Sequence, residues 1–311
     1  MIYTLTLNPA IDKTIVIEEF KRNQVNRSLD SRKDVGGKGI NVSKVLNEFG
    51  IENLCTTGIL GEENADFFLN YLGKLNIKAN FHTVPGTNRT NIKIVEKGLG
   101  AVTDINNKGF RLEQADMENF LSHFFSSVKE EDLIVISGSL PEGVENEIYK
   151  DIVETLNKKS CRVILDTSGP PLLHGIKAIP YGIKPNIDEL QSIIPVDKEN
   201  IESILAGGKH LINIGIEKVL ISLGSKGGIY ITKENSFISK GVNVDVKSTV
   251  GAGDAMVAGM IYAIENNYKD SETLKLAMAC GTAKVMTEGT RIPDIGTIKK
   301  LSNEIQVESL I

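Results

Sequence analysis

The chain has 311 residues, 41% of them apolar and 24% charged, a mix that fits a folded globular protein and excludes a disordered one. With 35 basic and 40 acidic residues the net charge is −5, so no global basic field draws the chain to nucleic acid or anionic lipid. No apolar run approaches the ~18 residues of a membrane span, and a chain this long buries enough surface to need no disulfide or metal staple.

In chain order, the first segment, Ile2 through Leu7, reads as a buried strand entering a turn at Asn8-Pro9, without the basic start of a secretory leader. Thr14–Phe20 with Arg27–Val35 reads as strand-like and polar, as does Thr90–Ile105, where Asn91 to Glu96 alternate in and out. These pieces predict a small sheet outside the main one, a lid. Val42, Val45, Leu46 and Phe49 share one helix face and Gly50 supplies a stop. Helices are expected over Glu113–Val128 and Glu145–Asn157, and buried parallel strands over Leu133–Ile136, Arg162–Leu165 and Val219–Ser222. This alternation of short apolar runs and helix-period segments is the signature of an α/β sheet with crossover helices. Cys55, Cys161 and Cys280 are odd in number and far apart, which points to a reducing cytoplasm.

Polar residues follow the strands. Asp166 follows Val163-Ile164-Leu165, Ser137-Gly138-Ser139 follows Leu133–Ile136, Lys184-Pro185-Asn186 follows Tyr181–Ile183, and Gly224-Ser225-Lys226-Gly227 follows Val219–Ser222. Open α/β sheets bind ligands beyond the carboxyl ends of their strands, so these segments sketch a cleft.

Three motifs carry chemistry. Ser248-Thr249-Val250-Gly251-Ala252-Gly253-Asp254 precedes an apolar helical run from Met256 to Ile264. Small residues at a helix start leave N–H groups free, and with the positive end of the dipole they form an anion site. A phosphoryl group held there lies beside Asp254, where a general base is needed; an Asp in a first turn also suits plain capping. Gly36-Gly37-Lys38-Gly39 admits a ligand close to the backbone, with Lys38 as a cation and Asn41 as a two-way hydrogen bonder; a flexible loop before a helix is the alternative. Asn186 and Glu189 share a helix face, suited to Mg²⁺ through waters or simply to capping. Asp12 and Arg89 are isolated charges beside candidate strands. The histidines and cysteines have no zinc spacing, and a dinucleotide fingerprint and Walker A loop are both missing, which weakens a nicotinamide enzyme.

Taken together and in this order, with Thr6-Leu7-Asn8-Pro9-Ala10-Ile11-Asp12 at the start, the motifs resemble the PfkB (ribokinase-like) family of sugar kinases over nearly the whole chain. Arg89 to Lys93, Val102 to Asn106 and Ser248 to Asp254 look most like members that act on fructose 1-phosphate; members acting on tagatose 6-phosphate are the alternative, and a non-catalytic sugar-phosphate sensor is a third reading. Ala255 departs from the pattern, where Ser is expected.

The resemblance implies one ribokinase-like domain over residues 1–311. It would be a Rossmann-like three-layer α/β/α sandwich with a β-sheet lid from about residues 12–35 and 89–106. It implies a cytoplasmic kinase using ATP and Mg²⁺ that phosphorylates the C6 hydroxyl of fructose 1-phosphate, and a homodimer formed through the lid. Asp254 would be the base, and Gly251, Ala252 and Gly253 the anion hole. Asp12, Gly37 and Asn41 would hold the sugar, with Lys38, Arg89, Arg27 and Ser139 near its phosphate. Lys184, Asn186, Ser222, Gly224, Ser225, Gly227, Gly251 and Gly253 would line the nucleotide, Met278–Lys284 its adenine, and Asn186 with Glu189 would organise the metal.

Overall fold

The computed structural model describes residues 1–310. Its strands, in chain order, are β1 (Ile2–Thr6), β2 (Ala10–Ile17), β3 (Asp30–Gly36), β4 (Leu54–Gly61), β5 (Lys78–Val84), β6 (Arg89–Glu96), β7 (Ala101–Ile105), β8 (Leu133–Ser137), β9 (Arg162–Asp166), β10 (Gly182–Ile183), β11 (Lys218–Ser222), β12 (Gly227–Ile231), β13 (Ser236–Lys240) and β14 (Glu308–Ser309). The helices are α1 (Lys38–Glu48), α2 (Ala65–Lys74), α3 (Gln114–Ser127), α4 (Ile148–Lys158), α5 (Pro170–Gly175), α6 (Ile187–Ile193), α7 (Ile201–Asn213), α8 (Ala252–Glu265), α9 (Asp270–Val285) and α10 (Ile295–Glu304).

The main sheet runs β14-β13-β12-β11-β10-β9-β8-β1-β4-β5. It is parallel from β5 to β11 and antiparallel from β11 to β14. Its central strands are apolar on both faces because both faces are covered. Leu133 and Val135 enter one core with α1, α2, α8, α9 and α10, while Ile134 and Ile136 enter the other with α3, α4, α6 and α7. This is the three-layer α/β/α sandwich the family resemblance implies. The chain leaves β1 toward β4 and β5, then returns to the other side of β1 with β8. Such a reversal opens a crevice at the carboxyl ends of the strands.

The lid is a second sheet in the order β3-β2-β6-β7. The strand expected over Thr14–Phe20 lies earlier, at Ala10–Ile17, because β2 follows β6 from Ala10↔Arg89 to Ile17↔Glu96 and then runs out of partner. The Glu96 carboxylate instead accepts the Phe20 N–H at 2.7 Å. Helix α4 starts at Ile148, later than Glu145, because Ile148 N–H first closes a turn onto the Glu145 carbonyl. Among the described residues no helix is long and apolar enough to cross a membrane.

Candidate active site

Two cavities meet at the carboxyl ends of the parallel strands. One, of about 440 Å³, lies against the lid and is lined by Asp12, Gly37, Lys38, Asn41, Arg89, Lys184, Glu189, Gly251 and Asp254 among others. The other, of about 310 Å³, lies between the Gly224–Gly227 turn and the starts and flanks of α8 and α9. Asn186, Ser222 and Gly253 line both, so the two cavities join at the N-terminus of α8. The first is rich in charge; the second is walled by Val242, Val244, Val246, Met256 and Met278, with Gly224, Gly227 and Gly281 also in its lining.

Helix α8 is entered through Gly251, whose φ of +77° is left-handed and disfavours any side chain. Ala252 N–H turns back to the Thr249 carbonyl at 3.3 Å, while Gly251 and Gly253 line the lid-side cavity. Asp254 sits in the first turn and is 5% exposed. Its Oδ2 accepts from Asn41 Nδ2 at 2.8 Å, and Oδ1 has no partner among the described residues. Burial raises the Asp254 pKa above the ordinary carboxylate range; Lys38 opposes that rise and the charge of Asp166 adds to it. A buried carboxylate with one anchored oxygen and a raised pKa is suited to accept a proton.

Behind Asp254, Asp166 ends β9, fully enclosed, and binds two lysines: Lys38 at 3.1 Å and Lys184 at 3.3 Å. Burial alone would raise the Asp166 pKa, but Lys184 and Lys38 outweigh it and hold the group ionised. Burial likewise works against the Lys38 charge, yet Asp166, Asp254 and Glu189 together raise its pKa. Asp166 Oδ2 remains buried without a partner among the described residues. The sequence shows Asp166 only as a polar residue ending a strand; its pairing with Lys38 and Lys184 appears in the fold.

The lid supplies the opposite wall. Asp12 and Asn91 are cross-strand neighbours, joined by Asn91 Nδ2 to Asp12 Oδ1 at 3.0 Å. Burial raises the Asp12 pKa, with Asn91 opposing it. A side chain at Gly36 would overlap the Asp12 carboxylate, which is the physical need for the first glycine of the Gly-Gly-Lys-Gly run. Arg89 Nε donates to the Asn8 carbonyl at 3.2 Å, and burial lowers its pKa. Period-two alternation along β6 places Arg89, Asn91 and Lys93 on this wall, a signal that reaches Asn91 and Lys93 as well as the Arg89 nominated from sequence.

Most nominated residues therefore converge, but not all. Arg27 is exposed in the loop between β2 and β3, and Ser139 is exposed in the turn after β8; neither lines either cavity. Of the Met278–Lys284 segment, Met278, Gly281 and Thr282 line the second cavity. Lys284 points the other way, into the interior against Gly251. The helical period separates these residues, since one face of α9 meets the cavity and another meets the core.

Asn186 and Glu189 form a reciprocal capping box at the start of α6, with both hydrogen bonds at 2.8 Å. Both also line the lid-side cavity. Among the described residues no group of three or more His, Cys, Asp or Glu is arranged to hold a metal. One carboxylate of the cavity lining, Glu189, suits Mg²⁺, an ion that keeps several waters and needs few protein ligands.

A helix N-terminus joining a charged, lidded cavity to an apolar one, with a buried carboxylate in its first turn beside the charged cavity, defines a phosphotransferase of the α/β class. Residues 5–296 match the model of the pfkB family carbohydrate kinases, and the chain belongs to that family. The 1-phosphofructokinase of Escherichia coli K12 is 37% identical over 94% of this chain and 93% of its own. Among solved structures, one described as a possible 1-phosphofructokinase from Thermotoga maritima is 28% identical, with a TM-score of 0.88 and all of both chains covered. Phosphofructokinase-2 from Escherichia coli, in complex with substrates and products, shares the fold with a TM-score of 0.92 at 24% identity, over 97% of this chain and 98% of its own. The protein is thus a sugar kinase, and kinases of this family use ATP.

Proposed function

We propose that the enzyme transfers the γ-phosphoryl group of ATP to the C6 hydroxyl of fructose 1-phosphate, giving fructose 1,6-bisphosphate and ADP. The observation that carries this is the position of Asp254: buried, anchored by Asn41, and lining the charged cavity next to Gly253, which lines both cavities. The sugar phosphate occupies the cavity under the lid and the nucleotide the other. The C6 oxygen attacks the γ-phosphorus, its proton passes to Asp254, and the bond from phosphorus to the β–γ bridging oxygen breaks, leaving ADP. Gly251 and Gly253 N–H groups meet the charge on the transferring group, each such donor contributing about 2.7–4 kcal/mol to transition-state stabilisation. Lys184 and Lys38, both paired with Asp166, add to that field.

Asp12 and Asn41 bind sugar hydroxyls, and Gly37 lets the sugar approach the backbone. Arg89 and Lys38 face the substrate phosphate, which as a dianion needs cations or N–H donors. Arg27 and Ser139 have no part in this reading. Mg²⁺, when bound, neutralises phosphate charge and orients the transfer; Glu189 and Asn186 would hold it with its waters. Phe20, Val25, Leu29, Leu99, Val102 and Ile105 are exposed apolar residues of the lid and its loops, which supports a homodimer formed there.

The test is ADP release with MgATP and, in parallel, fructose 1-phosphate, tagatose 6-phosphate, fructose 6-phosphate and no sugar. A kcat/KM for fructose 1-phosphate about a hundredfold above the others is expected, some 2.7 kcal/mol of discrimination. Preference for tagatose 6-phosphate would overturn the substrate and keep the base. No turnover with any sugar phosphate would overturn the catalytic reading in favour of a sensor.

A further inference from the structure

One turn beyond Asn41 on α1 lies Lys44, 2% exposed. A buried ammonium is costly unless it is compensated. Among the described residues no carboxylate forms an ion pair with it. Its Nζ donates instead to two backbone carbonyls, Val35 at 2.8 Å and Thr290 at 3.3 Å, and lies 5.7 Å from the centre of the Tyr71 ring.

The two acceptors belong to different parts of the active site. Val35 is near the end of β3, where the lid passes through Gly36 and Gly37 into α1. Thr290 lies between α9 and α10, in a segment whose Gly289 and Thr290 line the lid-side cavity. The same segment is tied to the lid again at Glu288, which receives Arg32 Nη1 of β3 at 2.9 Å. Burial pulls the Lys44 pKa down to about 8; Asp12, Asp34 and Asp254 support its charge and Lys284 opposes it.

We infer that Lys44 is a positioning residue, pinning the base of lid strand β3 to the 288–290 segment so that the sugar-phosphate cavity is set at its working width. This rests on the lid-side cavity being the sugar-phosphate site. A role in stability alone makes a different prediction. Methionine has a similar length and no desolvation penalty, so it would fill the space and leave substrate affinity untouched.

The experiment compares Lys44→Met and Lys44→Arg with wild type in steady-state kinetics, using the sugar phosphate that wild type prefers. Amide hydrogen exchange is read over residues 30–36 and 287–290. Lys44→Met should raise the sugar-phosphate KM at least tenfold, leave the ATP KM within twofold, and speed exchange in both segments. Lys44→Arg, which keeps the charge and the donors, should return the KM to within about threefold of wild type. An unchanged sugar-phosphate KM, an equal rise in both KM values, or a failure of arginine to restore it would overturn the inference.

If Lys44→Met yields no folded protein, Arg32→Met replaces it. That change cuts the same strand from the same segment at a more exposed pair, and the same selective rise is expected; an unchanged KM again overturns the inference. Should wild type turn over none of the sugar phosphates, the functional reading fails by itself. The positioning inference is then decided by exchange in the two segments, where no difference between Lys44→Met and wild type overturns it.

Discussion

Asn41 donates through Nδ2 to Asp254 Oδ2 at 2.8 Å, joining residues 213 positions apart. The contact ties the first turn of α1 to the first turn of α8, the two helices that follow the glycine-rich loops. It fixes one oxygen of a buried carboxylate and leaves the other without a partner among the described residues. Replacing Asp254 by Asn keeps the shape and removes the proposed base. The kcat is expected to fall by about 10²–10⁴, with the ATP KM within a few-fold of wild type. Residual activity above about a tenth of wild type would assign the proton to another group.

The same burial has an opposite effect on stability. The Asp254 pKa is raised on folding, so ionisation above that pKa favours the unfolded chain and costs stability at neutral pH. Asp254→Asn should therefore melt at a higher temperature than wild type at pH 7. The difference should fade as pH falls below about 4, where the carboxyl is protonated in both states. A variant less stable at pH 7 would contradict the assigned direction.

Lys38 and Asp166 act on Asp254 with opposite signs, Lys38 lowering its pKa and Asp166 raising it. The rising limb of the kcat profile should move to higher pH in Lys38→Met and to lower pH in Asp166→Asn. Asp166→Asn should also destabilise the fold, by about 3–5 kcal/mol at most, because the enclosed ammonium of Lys184 loses its counterion, while the partly exposed Lys38 keeps contact with water. Limbs that move the same way in both variants would disprove this electrostatic assignment.

Arg89 stands on the wall of the lid-side cavity and Ser222 and Gly253 at the junction, so loss of the guanidinium should separate the two substrates. A charge-assisted hydrogen bond contributes about 1.5–3 kcal/mol, or roughly ten- to a hundredfold in affinity. Arg89→Ala should raise the sugar-phosphate KM by that factor and leave the ATP KM nearly unchanged. Equal rises in both would remove Arg89 from the phosphate site.

Closing the lid would exclude water from the transferring phosphoryl group. Residues 90–105 should exchange their amide hydrogens more slowly once sugar phosphate is added. Exchange unaltered by a saturating sugar phosphate that the enzyme turns over would show that the lid is fixed.

The sequence by itself determined what short-range rules can carry. Both-sided apolar runs such as Leu133–Ile136 require a sheet covered on two faces. Glycines before Lys38 and before Asp254 require close approaches at helix starts, and the residues after each strand outline the cleft. All of these are read within a few positions of one another. The tertiary structure decided what depends on pairing between distant segments. Lys38 meets Asp166 across 128 positions, and nothing local marks Asp166 as a partner of two lysines. The register of β2 on β6 decided that Asn91 would face Asp12, while Arg27 was left in an exposed loop. The turn of α9 sent Lys284 inward and Met278 to the cavity. The buried amine of Lys44 finds its acceptors in a lid strand and a loop that only the fold brings together. Periodicity fixes which face a residue occupies on its own element; what that face meets is set by packing over the whole chain.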